Sequence, residues 1–135
     1  MISYYLKLYA CAFLGFLVID FVWLAFLARG FYRKHLGFLL SDQPNWWAAF
    51  IFYLLFVAGL LVFAAVPAIQ AGSLRRALLL GAFFGLVTYA TYDLTNMATV
   101  KNWPLVVTLV DLAWGAVLSA SVTCIAYFAG RWLQS

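Results

Sequence analysis

Four long apolar runs decide what this chain can fold into. They cover residues 4–28, 46–66, 74–99 and 103–128. A helix needs about 20 residues to cross the hydrocarbon core of a bilayer. In lipid a helix also satisfies its own backbone groups, which an open strand cannot do. The expected fold is therefore all-α: an integral membrane four-helix bundle, read as a single transmembrane domain over residues 1–135. Composition agrees, since 68% of residues are hydrophobic and only 9% are charged. A soluble domain carries about 25% charged residues. The net charge of +4 is spread thinly, with no basic run that would hold nucleic acid.

The connections carry the remaining polarity. Between the first two runs, Phe31, Tyr32, Leu36, Phe38, Leu39 and Leu40 mix with Arg33, Lys34 and His35. That mixture suits a short helix lying in the membrane interface, its basic residues toward lipid headgroups. Asp42-Gln43-Pro44-Asn45 then reads as a turn, with Trp46 and Trp47 as interface anchors. Pro67 is expected to close the second span. Lys101-Asn102-Trp103-Pro104 is tight enough to make the third and fourth spans antiparallel neighbours. Lys7, Arg75, Arg76 and Arg131 fall on one side of the membrane, and Arg29, Arg33, Lys34 and Lys101 on the other. This balance gives the positive-inside rule little to act on. The terminal amine tips it weakly toward cytoplasmic termini, and the near-tie also permits a dual-topology homodimer.

Three acids lie inside spans. Asp20 is nine residues before Arg29, Asp93 eight before Lys101, and Asp111 eight after Trp103. At 1.5 Å per residue each is about 12 Å in from its connection. The first and third connections lie on the same side of a four-span protein, so the acids form one layer. Tyr53, seven residues after Trp46, joins it from the second span. A central aspartate costs about 2.5–3.5 kcal/mol to insert. Three would cost on the order of 8–10 kcal/mol, comparable to the stability of a whole small domain. They are therefore expected to face the interior and to share protons, waters or a cation.

Helical geometry sorts the third span. At about 100° per residue, Gly85, Tyr89, Tyr92, Asp93 and Asn96 share one side. Leu86, Val87, Ala90, Leu94 and Met97 form the expected lipid face. Gly81 and Gly85 supply a small-xxx-small spacing, and this span is expected to be the most enclosed of the four. Trp114 follows Asp111 as Trp23 follows Asp20, three residues on. The candidate site is then Asp20, Asp93 and Asp111, with Tyr53, Tyr89, Tyr92, Asn96, Trp23 and Trp114 around them. The competing reading is an interhelical hydrogen-bond network, although ionisable residues inside a membrane are functional by default. The aromatic residues read equally as core packing. His35 is the only histidine and lies outside the spans. With Cys11 and Cys124 as small core residues and no CxxC spacing, no ligand set for zinc or haem is present, and no cofactor is expected.

Several motifs resemble one family. Asn45-Trp46-x-Ala48-Ala49-x-x-Phe52-Tyr53 is followed by Thr88-Tyr89-Ala90-Thr91-Tyr92-Asp93-Leu94-Thr95-Asn96, by Trp103-Pro104, and by Val110-Asp111-x-x-Trp114-Gly115. Together they resemble a bacterial family of predicted inner-membrane proteins labelled domain of unknown function 2177. The resemblance covers nearly the whole chain. It implies a multi-pass protein of the bacterial inner membrane and transfers no activity. Members of that family tend to be encoded near enzymes that modify membrane fatty acids, which points toward lipid metabolism.

Three functions fit these residues. The first is a site for a lipid-like or small amphiphilic ligand within the bundle, reached from the leaflet. If chemistry occurs there, paired acids suit general acid and base catalysis by a lipid hydrolase or isomerase. The second is a small proton- or cation-coupled exporter working as a homodimer. Size, span count and a first-span acid resemble the small multidrug resistance exporters, whereas several aspartates and no glutamate depart from them. The third is an assembly partner whose acids pair with basic residues of another membrane protein.

Overall fold

The computed structural model describes residues 1–134. Helix α1 covers Ile2–Val22 and runs into a wide π turn at Trp23–Leu27. A short helix, α2, follows at Arg29–Leu36. Helix α3 spans Trp46–Leu60, continues through a second π turn at Leu61–Ala65, and ends as α4, Val66–Ala71. Helices α5, Leu74–Thr99, and α6, Leu105–Gln134, complete the chain. Four of these rods are long and apolar enough to cross a membrane: Ile2–Leu27, Trp46–Ala71, Leu74–Thr99 and Leu105–Gln134.

Local chemistry places the ends. The Asn45 side chain accepts a hydrogen bond from the Ala48 amide at 3.1 Å and starts α3. Ser73 does the same for Arg76 at 3.1 Å and starts α5. Each satisfies a donor that the first helical turn leaves free. Gly72 closes α4 with a left-handed φ of 63°, a conformation that glycine adopts without steric penalty. Asn102, at φ 62°, turns the chain between α5 and α6.

Pro67 does not close the second span, as its sequence suggested. It sits in the first turn of α4, and the helix carries on to Ala71. The preceding π turn is the reason. It widens the hydrogen-bond spacing over Leu61–Ala65, so the missing proline N–H and the bulky ring fall at a register change rather than inside a regular ladder.

Burial is ordered in stripes. On α1 it falls on Leu8, Ala12, Phe16 and Asp20. On α5 it falls on Ala77, Gly81, Gly85 and Asp93. Both follow the helical repeat that faces one side. The outer faces carry Leu14, Phe21, Leu55, Phe63, Phe83, Leu109 and Val117, all exposed. An apolar exterior of that kind is what a lipid solvent requires. On α5, Leu86, Val87, Leu94 and Met97 point outward as their angles predict, whereas Ala90, expected on the same face, is half-buried.

The most enclosed span is the fourth, not the third. Of its most apolar stretch 39% is buried, against 22% for the third. Helix α6 packs on α5 along its length and on α1 on another side. Its buried positions include Gly115, Ser119, Thr123, Ala126 and Gly130, which let two neighbours approach at once. Helix α5 buries its small residues Ala77, Gly81 and Gly85 on one face. That face sits so close to α6 that a Cβ on Gly85 would fall on the Gly115 carbonyl oxygen, and one on Gly81 would lie 2.6 Å from Thr123 Oγ1.

The second and third spans meet over Leu61–Ala71 and separate toward Trp46. Toward one end the bundle is filled by Phe16, Val57, Leu60 and Leu118 and, beyond them, by Leu8, Ala68 and Tyr127. The other end, where α2 and the α5–α6 turn lie, is split by a cleft.

Candidate functional site

The cleft has a volume of about 490 Å³. The first span contributes Asp20, Trp23 and Leu24, and α2 contributes Tyr32. Helix α3 adds Ala49, Phe52 and Tyr53, α5 adds Thr88, Tyr89 and Tyr92, and α6 adds Asp111 and Trp114. Every long rod therefore supplies a wall. Phe52 is 47% exposed and Tyr92 59% exposed, so the mouth opens sideways between the second and third spans.

Helices α1 and α6 run antiparallel, and each carries an aspartate followed three residues later by a tryptophan. Packed against each other, the two copies of this pattern cross. Trp23 and Trp114 stack face to face, 4.3 Å apart and within 8° of parallel. The donors facing the Asp20 carboxyl are Trp114 Nε1 and the Tyr53 hydroxyl. Trp114 Nε1 stands short of hydrogen-bonding geometry and has no other partner. On the other side, Trp23 Nε1–H donates to the Tyr32 oxygen at 3.2 Å. The Tyr32 hydroxyl in turn donates to Asp111 Oδ1 in a short bond. Each tryptophan thus points its N–H toward the acid of the opposite helix, directly in one half and through Tyr32 in the other.

Tyr32 was not a candidate on sequence grounds. Its neighbours Arg33, Lys34 and His35 mark the segment as a polar connection. Two structural facts bring it in. The π turn at Trp23–Leu27 adds a wide turn before the chain folds back, closed by the Ala28 amide on the Trp23 carbonyl at 2.7 Å. Helix α2 then lies with Leu36 buried and Tyr32 reaching into the cleft. Burial, and next the hydrogen bond to Asp111, push the Tyr32 phenol well above its ordinary pKa. The hydroxyl therefore keeps its proton and stays a donor at any physiological pH. Tyr32→Phe removes both bonds, and the expected destabilisation is about 1–3 kcal/mol. Thermal denaturation measures it, and faster amide exchange across α2 should accompany it.

The other candidates divide. Asp20, Asp111, Tyr53, Tyr89, Tyr92, Trp23 and Trp114 line one cleft. Asp93 does not. It is fully buried next to Asp111, and neither of its carboxyl oxygens has a hydrogen-bond partner. Asn96 lies one turn further along α5, beside Tyr92 and outside the cleft. The three acids lie near one another but do not form a cage: among the described residues no group of three or more histidines, cysteines or acids is placed to hold a metal ion.

Aromatic packing fixes the walls. Tyr53 rests edge-on against Phe16, with centroids 5.0 Å apart. Tyr89 lies so close to Gly115 that a side chain there would strike its ring, and it meets Phe56 edge-on at 6.2 Å. Tyr92 meets Trp103 edge-on at 5.8 Å, and Trp103 Nε1–H is held by Thr108 Oγ1 at 3.0 Å. Thr88 spends its hydroxyl proton on the Phe84 and Gly85 carbonyls of its own helix. The polar groups left in the cleft are two carboxyls and the tyrosine hydroxyls, and the remaining walls are mostly aromatic.

The family described as "Predicted membrane protein (DUF2177)" matches residues 5–128. The chain belongs to this family. The matched region runs from the first span into α6 and includes every residue of the cleft. No curated protein matches the chain, and no solved structure does. Membership establishes a membrane protein whose family carries no assigned activity, so function rests on the site itself.

Proposed function

We propose that this family member binds a lipid-like or small amphiphilic molecule in the cleft, entering from the surrounding leaflet. One observation carries the reading: a pocket of about 490 Å³, lined by two aspartates and mostly aromatic walls, opens sideways through an apolar exterior. Small-molecule sites commonly have volumes of 300–1,000 Å³, apolar walls and a few placed polar groups. In this reading the tail leaves between the second and third spans, and the polar head meets Asp20, Asp111 and Tyr53. Helix α2 lies at the membrane surface and roofs the site through Tyr32. If the ligand is also processed, Asp20 and Asp111 are the groups placed to exchange protons with it.

The test uses the full chain purified from membranes with its retained lipids and analysed by native mass spectrometry. Wild type is expected to hold an amphiphile. A triple variant, Asp20→Asn, Asp93→Asn and Asp111→Asn, should fold and lose it. Retention at the wild-type level by the folded triple variant would sink the proposal. Proton-gradient-driven uptake into reconstituted vesicles would favour the exporter instead.

A further inference from the structure

We infer that the cleft selects a cationic head group, an amine or quaternary ammonium carried on an apolar tail. This rests on the binding function proposed above and gives it a chemical class.

Charge is the first reason. Asp20 and Asp111 both line the cleft and are only 8% and 7% exposed. No lysine, arginine or histidine lines it. The basic residues at this end of the bundle, Arg29, Arg33, Lys34 and Lys101, are all exposed. A buried carboxylate without a countercharge is strongly destabilising. Asp111 has the Tyr32 hydroxyl, and Asp20 faces only neutral donors. Neither has a positive partner in the cleft, so a cation brought by the ligand would supply what the chain leaves out.

Wall chemistry is the second reason and is independent of the first. Tyr53, Tyr89, Tyr92 and the stacked Trp23–Trp114 pair surround the same space. Aromatic faces attract cations, and do so more strongly once water is excluded. They give an anionic head nothing comparable, and two carboxylates repel it. A neutral head keeps its hydrogen bonds but gains no charge contact.

Three probes with one tail separate the possibilities: decyltrimethylammonium, decyl glucoside and decyl sulfate. Binding of each radiolabelled probe to the full chain in a maltoside detergent is measured by equilibrium dialysis. The cation is expected to bind at least about tenfold more tightly than the other two, the factor expected from one desolvated cation contact. That preference should fall away in Asp20→Asn and in Asp111→Asn. Equal or tighter binding of the neutral or anionic probe by wild type overturns the inference and leaves an amphiphile site standing. Saturable binding of none of the three overturns both. A cation preference that survives in both folded variants removes the acids as its cause. If neither variant folds, the ranking of the three probes by wild type alone decides.

Discussion

Replacing Gly85 by leucine is expected to break the pairing of α5 with α6 and to cost about 3 kcal/mol or more in stability. The reason is geometric. A Cβ at this position would fall on the Gly115 carbonyl oxygen and crowd Ser119 Oγ. Main-chain atoms cannot rotate away as a flexible side chain can, so the two helices must move apart. Separation would also lift Tyr89 from Gly115 and pull the α5 wall off the cleft. Helix association in lipid depends on close packing between small residues rather than on expulsion of apolar surface from water. There is accordingly no compensating gain from the larger side chain. Thermal unfolding in detergent, followed by loss of helical signal or of the monodisperse peak, measures the effect. Gly30→Ala is the matched control. A Cβ there meets nothing within 4 Å, and alanine is the better helix former by about 1 kcal/mol. Wild-type stability in Gly85→Leu would mean that α5 and α6 do not pack through their glycines.

That contact also shows what the sequence could and could not disclose. The small-residue spacing at Gly81 and Gly85 is legible, because only close helix packing gives two glycines a use in an apolar helix. The gathering of Asp20, Asp93 and Asp111 in one part of the bundle is legible too, since residue counts from a loop convert into distance along each helix. Lateral relations are harder. Depth alone cannot say that Asp93 lies behind Asp111 while Asp20 faces the cleft, because that depends on how far each helix rotates in the bundle. Asn96 shares a helical side with Asp93 but sits a turn nearer the loop, past the end of the cleft. The enclosure of α6 was hidden for a related reason. Its small residues are scattered among Leu118, Val122 and Tyr127, and nothing in the sequence says that two neighbours pack against them at once. Tyr32 was least legible of all. Its role depends on a π turn that no local pattern announces, and on a tertiary bond to a residue 79 positions away. The paired Asp-x-x-Trp pattern was visible, but its meaning needed the antiparallel packing that turns it into a crossed arrangement.

The buried carboxyl of Asp93 leads to the opposite kind of prediction, a variant more stable than the natural chain. Asp93 is 0% exposed, and both of its oxygens lack hydrogen-bond partners. An unsatisfied buried polar group costs about 1–3 kcal/mol, and Asp93→Ala removes the group without adding volume. The expected gain is therefore about 1–3 kcal/mol, read as a higher unfolding midpoint in detergent. Its nearest acid sharpens the test. Asp111 stands beside Asp93, with Oδ1 already engaged by Tyr32. In an Asp111→Asn background the new amide N–H can donate to the Asp93 carboxyl, so the gain from Asp93→Ala should shrink or change sign. A double-mutant cycle over the two positions isolates that coupling. If Asp93→Ala instead destabilises the wild-type background, Asp93 is a structural link between α5 and α6. If it stabilises the fold while ligand retention falls, the carboxyl serves the cleft at the expense of the bundle. That balance is expected of a group placed for function, because the rest of α5 already packs on α6 through its glycines.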